Sequence, residues 1–355
     1  MKMKTLIIIL VVLLLITAIV VVVLNHPCFG RRMGKERKAR IEASPNWRNG
    51  QFQNQIPTPQ LTGNTNWFSA MRKMMKGENR VPKEPIRAVK TDLKSLPTNR
   101  DWLVWFGHSS YLFQLGGKRF LVDPLLKMEF PVSVMLHPFK GTDIYSPDDM
   151  PEIDYLIITH EHWDHLDYAT LRDLRGKVRH VVCPLGVAEY LEYWKYDKDI
   201  ITEMDWHETL NFQLSTFNLT ITCLPTRHFS NRMFKRDQTL WASFMVEVGE
   251  RKVYVGGDGG YDDRFKQIRE QFGQVDLAMM ENGQYNENWA NIHLMPADLE
   301  QAILDLQAKQ VFTVHHDKFS LAPHAWTEPD SVAQALAERD SIRLLDQAIG
   351  TVVWF

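Results

Sequence analysis

The first regularity along the chain is an apolar run without a period. From Thr5 to Leu24 nearly every position is Leu, Ile or Val and none is charged. At 1.5 Å per helical residue such a run matches the ~30 Å of a bilayer core, and it predicts one N-terminal transmembrane helix. A cleavable signal would carry a shorter apolar stretch and small residues at its end. Here Asn25-His26-Pro27-Cys28 follows directly, so an uncleaved anchor is expected. Residues 43–99 are rich in Asn, Gln, Pro and Gly without sustained periodicity and predict a linker wrapped around the rest. Within it, Trp67 to Lys76 alternates aromatic and Met side chains with cations. That is the pattern of a short amphipathic helix, lying at a lipid interface or packing its Met face on the domain.

From Trp102 onward the pattern changes to short β-branched and aromatic runs. Trp102 to Phe106 and Arg119 to Val122 read as a hairpin pair across Gly116-Gly117. Further strands are expected at Asp154 to Thr159, Val178 to Cys183, Leu219 to Leu224, Leu240 to Val248, Lys252 to Val255, Val275 to Met280, Val311 to Val314 and Thr351 to Phe355. Helical spacing places Leu171 and Leu174 together in Tyr168 to Arg175, before Gly176 ends the run. It is clearest in Pro296 to Lys309, with Pro296 in the first turn and Leu299, Ile303 and Leu306 on one face. Two sheets packed face to face with helices outside would account for these elements. The expected organisation is an anchor with a basic juxtamembrane segment over 1–42, the linker over 43–99 and a globular domain over 100–355.

Charge and cysteine content narrow the partners. With 41 Lys and Arg against 43 Asp and Glu the chain is close to neutral, and the globular part has no basic stripe with interleaved aromatics, so no nucleic-acid partner is expected. Cys28, Cys183 and Cys223 are too few and odd in number for a disulfide framework, and the last two lie in apolar runs that suit buried thiols. Lys2 and Lys4 precede the apolar run, while Arg31, Arg32, Lys35, Arg37, Lys38 and Arg40 follow it. The positive-inside bias then places the domain in the cytoplasm, as a single-pass membrane protein, with these cations against anionic headgroups.

The chemistry concentrates in His160-Glu161-His162-Trp163-Asp164-His165, just past the strand at Asp154 to Thr159. Imidazole nitrogen and carboxylate oxygen hold borderline cations, and one turn here delivers ligands in two groups, as a pair of ions needs. Three further residues follow strand candidates, where a rigid element fixes a side chain best: His228, Asp258 and His315. Seven ligands serve two ions if one carboxylate bridges them. Glycines on both sides of Asp258, in Gly256-Gly257-Asp258-Gly259-Gly260, would let the backbone approach closely and aim that carboxylate between two cations. His316 is the weaker neighbour of His315, since adjacent strand residues point to opposite faces. Two divalent ions are expected, Zn²⁺ first, with Mn²⁺ or Fe compatible with the same ligands.

In this order, the hexapeptide with His228, Asp258 and His315 resembles the metallo-β-lactamase superfamily, which implies an α/β fold of αββα layers with a binuclear metal site at its rim. Trp105-Phe106-Gly107-His108-Ser109, Val122-Asp123-Pro124, Asp164-His165-Leu166-Asp167, Gly257-Asp258-Gly259-Gly260-Tyr261 and His315-His316-Asp317-Lys318-Phe319 are similar to the branch containing the N-acylphosphatidylethanolamine-hydrolysing phospholipases D and the ascorbate-phosphate lactonases. Gly50-Gln51-Phe52-Gln53-Asn54 with Pro57-Thr58 extends the similarity to about residues 50–330. The resemblance implies one ion on His160, His162 and His228, another on Asp164, His165 and His315, and Asp258 as the bridge. His293 matches an active-site histidine outside the ligand set. Glu281 to Asn291 departs from the phospholipase loop in being more polar, which bears on substrate. The implied reaction is attack on phosphorus by a hydroxide held between the ions, whose pKa falls from ~16 to about 7 in favourable sites, in a membrane phospholipid or other phosphodiester. Asp164, Asp258 and His293 would form the catalytic set. A lactone or amide hydrolase of the same superfamily is the enzymatic alternative, and a non-catalytic metal-dependent binding module the alternative outside enzymes.

Overall fold

The computed structural model describes residues 2–63, 66–213, 218–232, 235–340, 342–345 and 348–355. After a small ribbon of β1 (Trp47–Arg48) and β2 (Gln51–Phe52), the apolar runs build two sheets. The first contains β3 (Trp102–Trp105), β4 (Tyr111–Leu115), β5 (Lys118–Val122), β6 (Ile153–Ile157), β7 (Val178–Pro184) and β8 (Ile201–Met204). The second contains β9 (Thr209–Gln213), β10 (Asn218–Leu224), β11 (Ser243–Val248), β12 (Arg251–Val255), β13 (Leu277–Glu281) and β14 (Val311–Val314), and β15 (Val352–Trp354) returns to the edge of the first. Strand order is β15-β3-β4-β5-β6-β7-β8 in one and β14-β13-β12-β11-β10-β9 in the other. Each sheet is antiparallel in the half it begins with and parallel in the half that follows, from β5 to β8 and from β12 to β14.

Side chains alternate across these strands, so each sheet has two apolar faces. Leu103, Phe113, Phe120 and Tyr155 face Ile221, Phe244, Val253, Met279 and Phe312 in the core between the sheets. The other face of the first sheet, with Leu112, Leu121, Leu156 and Val181, packs Leu171, Leu174 and Leu191 of α5 (Tyr168–Leu174) and α6 (Ala188–Tyr193). The other face of the second, with Met245, Tyr254, Ala278 and Met280, packs α7 (Arg264–Phe272), α8 (Pro296–Leu306) and α9 (Glu328–Asp340) through Phe265, Ile268, Leu299, Ile303 and Leu336. The result is the αββα sandwich that the element pattern predicts. Each fully buried Phe or Leu contributes roughly 1.5–3 kcal/mol, which makes this two-sided burial the main support of the site above it.

Three expectations change. The turn at Gly116-Gly117 joins β4 to β5, and β3 pairs with β4 rather than with β5. Gln114 at the centre of β4 hides that strand's apolar character, although its amide is buried and donates to Pro97 O and Arg100 O. The edge strands β8 and β9 have half-exposed patterns that carry little apolar signal. The basic stretch after the apolar run does not simply lie free: Arg37 pairs with Glu189 (2.5 Å), Glu192 (2.5 Å) and Glu203 (2.8 Å), and Arg31 with Glu189 (2.5 Å).

Lys2–Leu24 forms α1, the one helix among the described residues long and apolar enough to cross a membrane, and none of its described side chains is buried. The chain after it is bonded to the sandwich. Trp194 Nε1 donates to Pro27 O (2.8 Å), Arg232 Nε donates to Cys28 O (2.9 Å), and Phe29 meets the edge of Trp163 at 5.2 Å. α2 (Lys35–Glu42) continues this stem. All three cysteines are buried free thiols. In α3 (Trp67–Lys76), Asn66 caps Ser69 N (2.9 Å), Ala70 is buried and Phe68 is 88% exposed. The side chains of Trp67, Met71 and Met75 lie outside the described residues.

Candidate metal centre

The parallel strands end at one rim of the sandwich. β6 delivers Thr159 to His165, β10 leads to His228, β12 to Asp258, β13 to Glu281 and β14 to His315. At Asp258 the glycines act as expected. Gly257 holds φ +62°, where a Cβ would stand 2.7 Å from Ala242 O, and a Cβ on Gly260 would stand 2.2 Å from Asn291 O.

Two groups of ligand atoms result. His160, His162, His228 and Asp258 form one, and His108, Asp164, His165 and His315 the other, each with its atoms within 4.8 Å of one another. Asp258 Oδ2 lies between them, 3.1 Å from His315 Nε2, 3.2 Å from His165 Nε2, 3.8 Å from His160 Nε2 and 3.9 Å from His228 Nε2. All seven residues singled out from sequence as ligands are therefore brought to one place. His293 adjoins them, its ring 5.2 Å from His228 and 5.3 Å from His315. His316 points away and packs on Trp105 at 4.8 Å.

The donor set fits divalent ions. A neutral imidazole has one N–H and one lone pair, so fixing the outer nitrogen as donor leaves the inner one as ligand. His160 Nδ1 meets Thr159 Oγ1 (2.9 Å), His165 Nδ1 meets Asp123 Oδ2 (2.8 Å), and His228 Nδ1 meets Ile292 O (2.9 Å). His315 Nδ1 lies 3.3 Å from Glu281 Oε1. His162 presents Nδ1, at 2.9 Å from His160 Nε2 and 3.2 Å from His228 Nε2. Three imidazole nitrogens that close cannot all satisfy one another with protons. His165 Nε2 and His315 Nε2 are buried and make no hydrogen bond among the described residues, despite their closeness to Asp258. Such convergence of lone pairs is what a cation resolves.

Electrostatics agree. Burial pushes His160 and His162 well below the ordinary imidazole range. Burial alone would raise Asp258 and Asp164, but the neighbouring imidazoles, His165 first in each case, hold both carboxyls well below their usual range. Conversely burial would lower His165 and His315, yet Asp258 holds both well above. The carboxylates thus favour positive charge at these two imidazoles, which is the charge a divalent cation bound there would supply.

Three residues of the site escaped sequence reasoning. His108 Nε2 lies 2.8 Å from Asp164 Oδ2, and burial lowers its imidazole to about 3, so it is a neutral donor. Asp123 also accepts from Thr159 N (2.8 Å) and Thr159 Oγ1 (2.5 Å). Glu281, read as the start of a polar loop, is buried. It accepts from Gly259 N (2.7 Å), and its Oε1 meets His293 Nδ1. His108, Asp123 and His315 hold positive φ (52°, 39° and 74°), which for residues with a Cβ is sparsely populated and is maintained by the surroundings. Two backbone bonds, His108 N to His316 O (2.8 Å) and His315 N to His108 O (3.0 Å), sew the rims of the two sheets together here.

Above the ligands opens a largely apolar pocket of ≈ 280 Å³, with Leu61, Met74, Phe229, Trp289, Ile292 and Leu321 in its wall. Met74 places the described apolar face of α3 over the site, so this helix packs on the domain while Phe68 projects outward.

Residues 118–316 match the beta-lactamase superfamily domain. A Mycobacterium tuberculosis protein (strain H37Rv) is 33% identical over 315 residues, covering 86% of this chain and 83% of its own length. The chain belongs to the metallo-β-lactamase superfamily. Its members are generally metal-dependent hydrolases, and their fold binds two metal ions. The resemblance to the phospholipase branch holds: N-acyl-phosphatidylethanolamine-hydrolyzing phospholipase D 1 of Caenorhabditis elegans is 27% identical over 67% of this chain and 70% of its own. CmlA, a diiron β-hydroxylase from Streptomyces venezuelae, shares the superfamily fold with a TM-score of 0.56 at 17% identity, over 73% of this chain. The matched part spans 55% of CmlA.

Proposed function

We propose that this chain is a membrane-anchored, two-ion phosphodiesterase of the phospholipase D type, hydrolysing the headgroup ester of a phospholipid. The observation that carries the reading is the placing of both ligand groups against a largely apolar pocket. The named activity of the Caenorhabditis elegans relative supports it, and N-acylphosphatidylethanolamine is the first substrate to test. In this reading residues 1–42 are the anchor and its stem, 43–99 the lead-in and 100–355 the catalytic part, on the cytoplasmic face.

His160, His162 and His228 would hold one ion, Asp164, His165 and His315 the other, with Asp258 Oδ2 between them. Bound there, two ions (Zn²⁺, or alternatively Mn²⁺ or Fe) lower the pKa of a water and neutralise charge on the phosphoryl oxygens. Asp123, Thr159, Glu281 and Ile292 O hold His165, His160, His315 and His228 in their ligating tautomers. Water adds to phosphorus, the P–O bond to the headgroup alcohol breaks, and phosphatidate remains. His293, whose Nδ1 is held by Glu281, presents Nε2 to take a proton from the attacking water and pass it to the departing alcohol oxygen, and Met74, Trp289 and Leu321 exclude water around an acyl chain.

The test is elemental analysis and release of N-acylethanolamine from mixed micelles, comparing the full chain with Asp258→Asn. Two ions per chain and chelator-sensitive release are expected. The variant should lose metal and at least ~100-fold in rate, as removal of a shared metal ligand implies. Two ions with no phosphodiester hydrolysed would overturn the reading in favour of a lactone or amide hydrolase, and a fully loaded, active Asp258→Asn would overturn the site.

A further inference from the structure

Phe229 walls the apolar pocket on one side and a second, larger depression on the other. This groove of ≈ 840 Å³ begins at His228 and runs beneath β1, β2 and residues 53–61. Its character is opposite to that of the pocket: the amides of Gln51, Gln53 and Gln60 line it, with Arg48 and Arg236 as its cations. The Arg236 guanidinium lies 5.1 Å from the centre of the Phe229 ring. That ring is 4.5 Å from His162 and 4.8 Å from His228, so one aromatic ring separates the cation from two of the proposed metal ligands. Among the described residues Arg236 Nε is shielded from water and makes no hydrogen bond, and no carboxylate forms a salt bridge with either arginine, although the charge of Arg236 acts on the neighbouring Asp237 carboxyl and Arg48 Nη2 donates to Asn54 O (3.3 Å). The one acid in the groove wall, Asp237, is turned to Ser230 N (3.1 Å). A sheltered donor without a partner is uncommon in folded proteins and marks a place for a ligand's acceptor. The planar guanidinium fork matches phosphate and carboxylate oxygens in particular.

We propose that this groove receives the headgroup alcohol of the substrate, and that this alcohol is a polyol carrying its own anionic group, such as a second phosphate. The inference rests on the phosphodiester reading and narrows it. Amides suit hydroxyls, the two arginines suit a terminal anion, and the apolar pocket across Phe229 is left for an acyl chain. The long chain of an N-acylated ethanolamine would instead lie against amides and guanidinium groups.

The test uses the full chain, metal-loaded, in neutral-detergent micelles. Calorimetric titration with glycerol 3-phosphate compares the wild type with Arg48→Gln/Arg236→Gln and Arg48→Lys/Arg236→Lys. The Gln pair should bind about tenfold or more weakly at equal metal content, with the Lys pair in between, since a point charge replaces only part of the fork. In parallel, kcat/KM is measured for phosphatidylglycerophosphate, phosphatidylethanol and N-acylphosphatidylethanolamine. The wild type should favour the first by roughly tenfold or more, and that ratio should approach one in the Gln pair. A purely structural role for the arginines would lower all three alike and leave the ratio in place, which overturns the proposal, as does equal glycerol 3-phosphate binding by wild type and Gln pair. Arginine-dependent binding with none of the three esters hydrolysed would keep the anion groove and overturn the phosphodiester reading alone.

Discussion

Asp123→Asn changes no metal ligand, yet it should empty one of the two ion positions selectively. The carboxylate accepts three bonds, from Thr159 N (2.8 Å), Thr159 Oγ1 (2.5 Å) and His165 Nδ1 (2.8 Å). An asparagine keeps its oxygen on Thr159 N and must then present an NH₂ to the other two. His165 Nδ1 can meet an N–H only as an acceptor, which moves the imidazole proton to Nε2, the atom that faces Asp258 and would ligate the ion. The alternative orientation sets the NH₂ against Thr159 N–H, leaving a buried donor unsatisfied at about 1–3 kcal/mol. Either way His165 is weakened as a ligand. Loss of such outer hydrogen bonds typically lowers metal affinity 10- to 100-fold, or roughly 1.4–2.7 kcal/mol. The loss should fall on the ion held by Asp164, His165 and His315. The position held by His160, His162 and His228 should lose less, because the outer bond of His228 goes to Ile292 O and Thr159 Oγ1, although it loses Asp123 as its acceptor, keeps a lone pair for His160 Nδ1. Competition with a chromogenic chelator resolves the two constants. Two unchanged constants, or an equal fall in both, would refute the tautomer argument.

Glu281→Gln should lower kcat by about 10–100-fold while moving KM less, because it disturbs His293 and the outer nitrogen of His315 rather than the pocket wall; a change confined to KM, with the pH profile intact, would count against it. Burial pushes the Lys318 ammonium down from 10.5 to about 8, although Nζ donates to Leu125 O (2.8 Å). Between these values the unfolded chain holds a proton that the folded chain has released, so this group's contribution to stability rises with pH across the window, by up to ~3 kcal/mol, and is flat below it. Urea midpoints from pH 7.5 to 10.5 should show that rise in the wild type beyond any seen in Lys318→Met, and parallel curves would contradict it. Phe130, Val134 and Met135 stand 56%, 64% and 55% exposed on the short turn containing α4 (Val132–Met135), whose Val132 packs in one cluster with Leu321 of the pocket wall. Replacing all three with Ser should slow hydrolysis of vesicle-borne lipid several-fold more than that of detergent-dispersed lipid; equal slowing in both would speak against a lipid-facing turn.

Much of this architecture was legible because the strongest signals are local. A β-branched run ending at His160 marks a buried strand with ligands at its tip, and the same strand-end logic reached His228, Asp258 and His315. Applied without exception it would have reached His108, three residues past the end of β3, and Asp123, directly after β5. Glu281 escaped because burial, not residue type, makes it part of the site, and nothing in its neighbours announces that β13 carries it inside. The β4 strand was hidden by Gln114, whose amide is satisfied by backbone carbonyls distant in sequence. The pairing of Arg31 and Arg37 with Glu189, Glu192 and Glu203 spans more than 150 positions, beyond any local pattern.

That pairing bears on how a soluble version of the protein should be cut. A truncation at residue 43, which composition suggests, would take away Arg37 and leave Glu189 and Glu203, both largely buried, without their cation. It would also remove the Cys28 carbonyl from Arg232, whose Nη1 donates to Glu161 O (2.7 Å) inside the metal-binding turn. Leaving buried charges unpaired typically costs about 3–5 kcal/mol, a large share of a domain's stability. Expression should start near Asn25 instead, discarding only the apolar helix.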